Sequence, residues 1–388
     1  MSLRAALLAL CLTPAALLAT PASASVNDIL IGLDNKVSPG PDGPVNGPPG
    51  KDAVVVMDIS NPAKPRIRAS LPLMNSLLGP PTNLQITPDG KLGLVANSVV
   101  HIQEGNTWKA VPDDKLFVID LTANPPKLID TLTVCKQPSG LAISAKGDLA
   151  LIANREGKSV SVLSIQGNTV KLVGDVPVEQ QAAAVVIAPD VKRAFVCLNM
   201  VNRIGVLSID GTKVTYDKGM DIPSAFNPYN IDITPDGKYA IASNTGAKAN
   251  NGDAEVVIEA TGPHPHVVDI MSPGSGPEGF AIAPNGKTAA TPLLEGSGAK
   301  DSDWFKTKGG ELVLMSIGAG GKLAVTSRAK LGRLPEGIAY SPRSDYLYVG
   351  NFSDQDLQVF RLANGKLQEV GPPVKLPGQP ASMRGPAR

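Results

Sequence analysis

Hydrophobic and polar positions alternate in short bursts along this chain, and the bursts come in pairs. The clearest pair runs from Pro228 to Asn244 and reads Pro-Tyr-Asn-Ile-Asp-Ile-Thr-Pro-Asp-Gly-Lys-Tyr-Ala-Ile-Ala-Ser-Asn. Ile231 and Ile233 flank a polar residue, a period of two that predicts a strand. Thr234-Pro235-Asp236-Gly237 predicts a tight turn, because proline pre-sets φ at the first corner and glycine accepts the positive φ that follows. Tyr239, Ile241 and Ser243 share one face of a second strand, with Ala240 and Ala242 on the other. The unit is a β-hairpin.

The unit recurs. Copies start at Pro81, Pro138, Pro277 and Pro335, and a worn copy runs from Ala182 to Asn199. The aligned hydrophobics are Ile86, Ile143, Ile187, Ile233, Ile282 and Tyr340, spaced by 57, 44, 46, 49 and 58 residues. Each pair is followed by a third strand, such as Ser159-Val-Ser-Val-Leu-Ser-Ile or Glu311-Leu-Val-Leu-Met-Ser-Ile, and by an outer fourth strand. A period of about forty to fifty residues built from short strands predicts a β-propeller. The fold class is therefore all-β. The chain enters a blade at its second strand, Val26 to Leu33, with Ala53 to Ile59 and Pro65 to Leu73 as the third and fourth. An unmatched first strand begins at Pro380. Pairing of the two terminal strands should complete a seventh blade and leave no open sheet edge.

A second strand ending Val-Ala-Asn, Ile-Ala-Asn or Val-Gly-Asn, just after Pro-Asp-Gly-Lys, resembles the YVTN-type repeat of secreted microbial propellers. The resemblance covers nearly the whole chain beyond the first residues. It implies a lactonase-like seven-bladed propeller and carries over no activity. The Pro-His pair that opens an inner strand in the lactonase-type pattern is replaced here, with Tyr229 in the second position.

Composition adds an address. Arg4, the apolar run from Ala5 to Leu18 and Ala22-Ser23-Ala24 read as a secretory signal peptide over residues 1–24, with one propeller domain over 25–388. Cys11 follows the bulky Leu10 inside the apolar run, which disfavours lipidation there. The expected location is the periplasm or the exterior, with no membrane span. A net charge of +1, from 36 basic and 35 acidic residues, excludes an electrostatic nucleic-acid partner. An aromatic content of 4% excludes a carbohydrate surface paved with rings. Export permits a Cys135–Cys197 disulfide, but two separate thiols fit equally well. There is no covalent haem motif, no phosphate-binding loop and no nucleophile elbow.

Features present in every blade are read as structural. The asparagines closing the second strands (Asn97, Asn154, Asn199, Asn244 and Asn351) are expected to cap the following turn in a left-handed conformation. Departures between blades are the candidates for chemistry. Positions just after the repeat proline look into the channel mouth and read Thr82-Asn83, Ser139-Gly140, Tyr229-Asn230, Glu278-Gly279, Glu336-Gly337 and Ala381-Ser382. Asn83, Asn230, Glu278 and Glu336 form an oxygen-only set suited to Ca²⁺ or Mg²⁺, and like charge between the candidate catalytic residues Glu278 and Glu336 would raise one carboxyl and fit it to act as a general base. Tyr229, Trp304 and Arg384 are candidate ligand contacts. Insertions over 34–52, 98–114, 245–253 and 292–310 leave from the same face, whereas the opposite face is closed by short Pro-Asp-Gly turns with little chemistry to offer. His101 is read as alone on a loop, and His264 and His266 as a surface turn. Two functions follow. The first is binding of a small molecule or periplasmic protein over the channel mouth by a monomer; the second is a lactonase-type hydrolase using a divalent cation.

Overall fold

The computed structural model describes residues 26–247 and 249–388. The expected signal peptide and its cleavage site lie outside the described residues. Seven antiparallel sheets, each with a four-strand core, stand around one axis, and no α-helix occurs among the described residues. None of the helical segments is long or apolar enough to cross a membrane.

The Pro228–Ile233 and Tyr239–Asn244 strands pair as the alternation predicts, and Ala254–Glu259 and His266–Met271 complete their blade. Gly237 turns the corner at φ 72°, and Asp236 Oδ1 accepts hydrogen bonds from the Thr234 hydroxyl (2.6 Å) and the Lys238 amide (3.1 Å). The same turn recurs at Thr87–Lys91.

The ring closes where the unmatched strands predict. Pro380–Arg384 pairs with Asp28–Leu33, setting Leu30 opposite Arg384 and Ile31 opposite Met383. We number this composite blade 1 and the blades that follow along the chain 2 to 7. Apolar side chains fill the wedges between neighbouring blades. Ile29, Ile31, Val55 and Met383 of blade 1 pack against Tyr348, Leu357 and Val359 of blade 7, and Phe195 and Ile204 of blade 4 pack against Ile231 and Val256 of blade 5. Burying these surfaces drives assembly.

At the axis the inner strands approach closely. A Cβ on Gly279 would stand 2.2 Å from the Glu336 carbonyl oxygen, and one on Gly337 would stand 2.6 Å from the Met383 backbone nitrogen. Glycine at these positions is a packing requirement.

Three details differ from the sequence reading. Residues 98–114 are largely strand: Leu92–Glu104 and Thr107–Asp120 form one long hairpin. Their alternation continues through Val99 and His101, so hydrogen bonding propagates past the disc. His101 is buried in this hairpin, with Nδ1 2.9 Å from the Gly47 carbonyl oxygen. None of the closing asparagines has a positive φ: Asn97, Asn154, Asn244 and Asn351 lie in strands, and Asn199 opens a short 3₁₀ turn. They bond sideways to the third strand, as Asn154 Nδ2 does to Ser159 Oγ (3.1 Å) and Ser161 Oγ (2.9 Å) and Asn351 Nδ2 does to Asp356 Oδ1 and Gln358 Oε1 (both 2.9 Å). Cys135 and Cys197 are both free, which agrees with the separate-thiol alternative the sequence left open, and burial pushes the Cys197 thiol well above its ordinary range.

Deleting residues 377–388 removes the inner strand of blade 1 and bares the edge of Asp28–Leu33. Its melting temperature should fall by more than about 5 °C, and differential scanning calorimetry showing an unchanged midpoint would contradict closure.

Candidate functional site

Inner strands begin with an irregularity that aims the candidate residues. Pro335 pairs with Asn351 and Ile338 with Val349, so three steps on the inner strand match two on its neighbour. Pro228 pairs with Asn244 and Asn230 with Ser243, again with one residue extra. Such a bulge re-aims side chains at a strand end. Tyr229 and Glu336 sit in these bulges, and Glu278 sits in the matching stretch of blade 6, between the Pro277–Leu293 bridge and the Ala281–Ala290 pair.

Tyr229, Glu278 and Glu336 line one cavity of about 530 Å³ over the channel mouth. Its other walls come from the insertions. Residues 34–46 contribute Asp34 and the Val37–Gly40/Gly43–Asn46 hairpin, the long hairpin of blade 2 contributes His101, and the 294–305 loop contributes Lys300, Asp303 and Phe305. Asp301 N donates to Pro41 O (3.0 Å), which ties two of these covers together. With Asp34 engaged by Lys36 and the Leu77 amide, Asp42, Glu278, Asp303 and Glu336 still outnumber Lys300 among the charged side chains of the lining, so the cavity favours a ligand rich in hydrogen-bond donors.

The other candidates are placed as follows. Asn83 is buried; its Nδ2 donates to Asn75 Oδ1 (2.8 Å) and Ala96 O (2.6 Å), and its Oδ1 has no hydrogen-bond partner. Asn230 is also buried, and its Oδ1 accepts from the Ile231 amide at 2.9 Å. No group of three or more acidic, histidine or cysteine side chains could hold a metal among the described residues. Neither Asn83 nor Asn230 joins Glu278 and Glu336 in the lining of the cavity, and Asn230 Oδ1 is already engaged, so the four candidate oxygen ligands are not brought to one point. Trp304 is 82% exposed and meets Phe305 edge-on at 5.6 Å, so the phenylalanine faces the cavity and the tryptophan faces solvent. Arg384 ends its strand at the opposite mouth of the channel. His266 is an exposed strand-edge residue whose Nδ1 lies 3.1 Å from His264 O.

Sequence reasoning missed three contributors. Arg155 follows Asn154, in the slot taken by Ser98, Thr245 and Phe352 in other blades, and its guanidinium lies 5.7 Å from the Tyr229 ring centroid. The pairing is a cation–π contact. That departure between blades was visible in the chain. Lys36 is a buried cation whose Nζ donates to Asp52 Oδ2 (2.7 Å), lies 3.0 Å from Asp34 Oδ1 and also donates to Asn75 O. Asp34 Oδ2 in turn accepts from the Leu77 amide (2.7 Å), so this cluster holds two segments that frame the cavity. Burial raises the Asp52 carboxyl despite the neighbouring lysine. Glu255 lies fully buried behind the mouth, with Ser243 Oγ donating to its carboxyl oxygens at 2.7 and 2.9 Å, and burial pushes its pKa up to about 8.

Solved structures share this architecture. A periplasmic gluconolactonase from Pseudomonas aeruginosa superposes with a TM-score of 0.64 over 92% of this chain and 98% of its own, at 18% identity. A putative 6-phosphogluconolactonase from Bacteroides fragilis gives 0.67 over 92% and 97%, at 14% identity. The fold is the seven-bladed propeller that these two structures have. The Kuenenia stuttgartiensis hydrazine synthase contains it too, with a TM-score of 0.60 over 80% of this chain and 90% of that one, at 20% identity. At these identities the likeness concerns architecture alone. The chain matches no protein-family model and no curated protein.

Removing the Lys36 charge leaves two buried carboxylates facing each other. Lys36→Met should cost about 3–5 kcal/mol in urea unfolding, and a loss under about 1 kcal/mol would show that the cluster carries little. Glu255 sets a pH dependence. Its folded pKa lies above the unfolded value, so the stability it contributes is complete below about pH 4.5 and is lost as pH rises towards 8. Glu255→Gln should melt at the wild-type temperature at pH 5 and above it at pH 9.

Proposed function

We propose that this protein is an exported YVTN-type propeller that binds a small, hydroxyl- or amine-bearing ligand over the channel mouth on the insertion face. The observation that supports it is the cavity of about 530 Å³ lined by Tyr229, Glu278 and Glu336 and covered by the 34–46 and 294–305 segments. A concave site with an aromatic ring and a few convergent polar groups suits a ligand of modest size. Carboxylates accept hydrogen bonds from hydroxyl or ammonium groups. The Ala-x-Ala signal and the periplasmic location of one structural neighbour support the address. The exposed Trp304 remains a candidate contact for a protein partner.

A second reading, a lactonase-type hydrolase with Ca²⁺ at the mouth, is favoured by Glu278 and Glu336 sharing one cavity and by two neighbours described as lactonases. One panel separates the two. Aldonolactones, polyols and amines are screened by calorimetry against the wild type and the Glu278→Gln/Glu336→Gln double variant, with lactone turnover followed in Ca²⁺ and in chelator. The binding reading expects a ligand whose affinity drops at least tenfold in the variant, about 1.4 kcal/mol, with no turnover. Turnover that vanishes with chelator selects the hydrolase. Ligand affinity unchanged in the double variant rejects this site. Trp304→Ala should leave small-ligand affinity unaltered.

A further inference from the structure

The end of the channel closed by the Pro-Asp-Gly turns holds a second cavity, of about 350 Å³, and it is chemically unlike the first. Its wall is apolar. Ile143, Ile187 and Ile233 end the inner strands of blades 3, 4 and 5, and Phe280 and Ile338 add blades 6 and 7. Apolar side chains around an open mouth are stabilised by whatever covers them.

Three charged side chains interrupt this wall, namely Arg384, Arg388 and Asp232. After Arg384 the chain turns under blade 2, where Ala387 N donates to Ile86 O at 2.8 Å, and Arg388 crosses the channel to blade 6. There its Nη2 donates to Ile282 O (2.8 Å) and lies 3.7 Å from Asp232 Oδ2. Asp232 is already engaged, since its two oxygens accept the Ile282 and Ile233 amides, both at 2.9 Å. Arg384 differs. Its Nη1 donates to Leu141 O at 2.7 Å, and it makes no ion pair among the described residues. Removal from water holds its guanidinium below its ordinary range, with Asp232 opposing and Arg388 adding to that effect. A partly buried guanidinium without an ion-pair partner is open to an anion that would complete its hydrogen bonds. Its planar fork matches a carboxylate in two parallel hydrogen bonds.

We propose that this lower cavity binds a small monocarboxylate with an apolar body, its carboxylate on Arg384 and its hydrocarbon against the isoleucine wall. The site is independent of the one over the opposite mouth. It needs no metal, and the fold supplies both halves of it. The inner strands of blades 3, 4 and 5 end in isoleucine at this face, and the strand that closes the ring ends in arginine.

The test titrates the full chain with hexanoate and benzoate by calorimetry, with hexanamide as the neutral isostere and inorganic phosphate as a plain anion. The proposal expects saturable binding of a carboxylate, at least tenfold weaker binding of hexanamide, and at least a tenfold loss in Arg384→Met. Ala142→Leu, which narrows the cavity from blade 3, should weaken hexanoate without touching any charge, and it carries the test if Arg384→Met fails to fold. The proposal is overturned by an absence of saturable binding up to about 10 mM, by equal affinity for hexanoate and hexanamide, by phosphate binding as tightly as hexanoate, or by affinity unchanged in both variants.

Discussion

Seven inner strands share one narrow axis, and that crowding governs the rest of the molecule. Where they converge, Gly279 leaves room for the Glu336 carbonyl and Gly337 for the Met383 backbone. An interblade wedge filled with apolar side chains makes each blade depend on both neighbours. A propeller so built tolerates no open blade, which is why the two terminal strands must find each other. The Leu30–Arg384 and Ile31–Met383 pairs are the consequence.

The same crowding makes the two mouths chemically different. At the insertion face, bulged strand starts turn Tyr229, Glu278 and Glu336 to the cavity, and loops anchored by the buried Lys36–Asp34–Asp52 cluster wall it in. That cluster sits in a low-dielectric setting where an ion pair is strong and a missing partner is severe. At the opposite face inner strands of blades 3 to 5 end in isoleucine, and the charged side chains lining the cavity there, among the described residues, are Asp232 and the two arginines of the segment that closes the ring. The long insertions drew attention to the first mouth; the second is furnished by residues that look like the end of a repeat.

The blade count and the closure were legible because hairpin periodicity and turn chemistry are local. Thr-Pro-Asp-Gly at 234–237 dictates its turn whatever surrounds it, with Gly237 at positive φ and Asp236 tying the corner. Glu278 and Glu336 were legible for a related reason, since a repeat makes its own departures visible. The extension of the 92–120 hairpin was less so, because beyond His101 the residues Ile102, Gln103 and Glu104 are exposed whichever face they take, so no buried apolar alternation marks the tip. The asparagine bridges were misjudged because asparagine serves turns and strand-to-strand bonds equally well, and which it serves depends on the serine, aspartate or glutamine opposite.

What the chain determined by itself is the repeating unit, its number and its polarity, because strand alternation and tight turns are set by residues a few positions apart. What only the tertiary structure decided is which distant groups meet. Arg155 reaches the Tyr229 ring from two blades away, Lys36 finds Asp52 across an insertion, and Arg384 falls at the mouth opposite Glu278. Those encounters depend on the radius of the ring and the direction of each strand, quantities that emerge once all seven blades have closed around the axis.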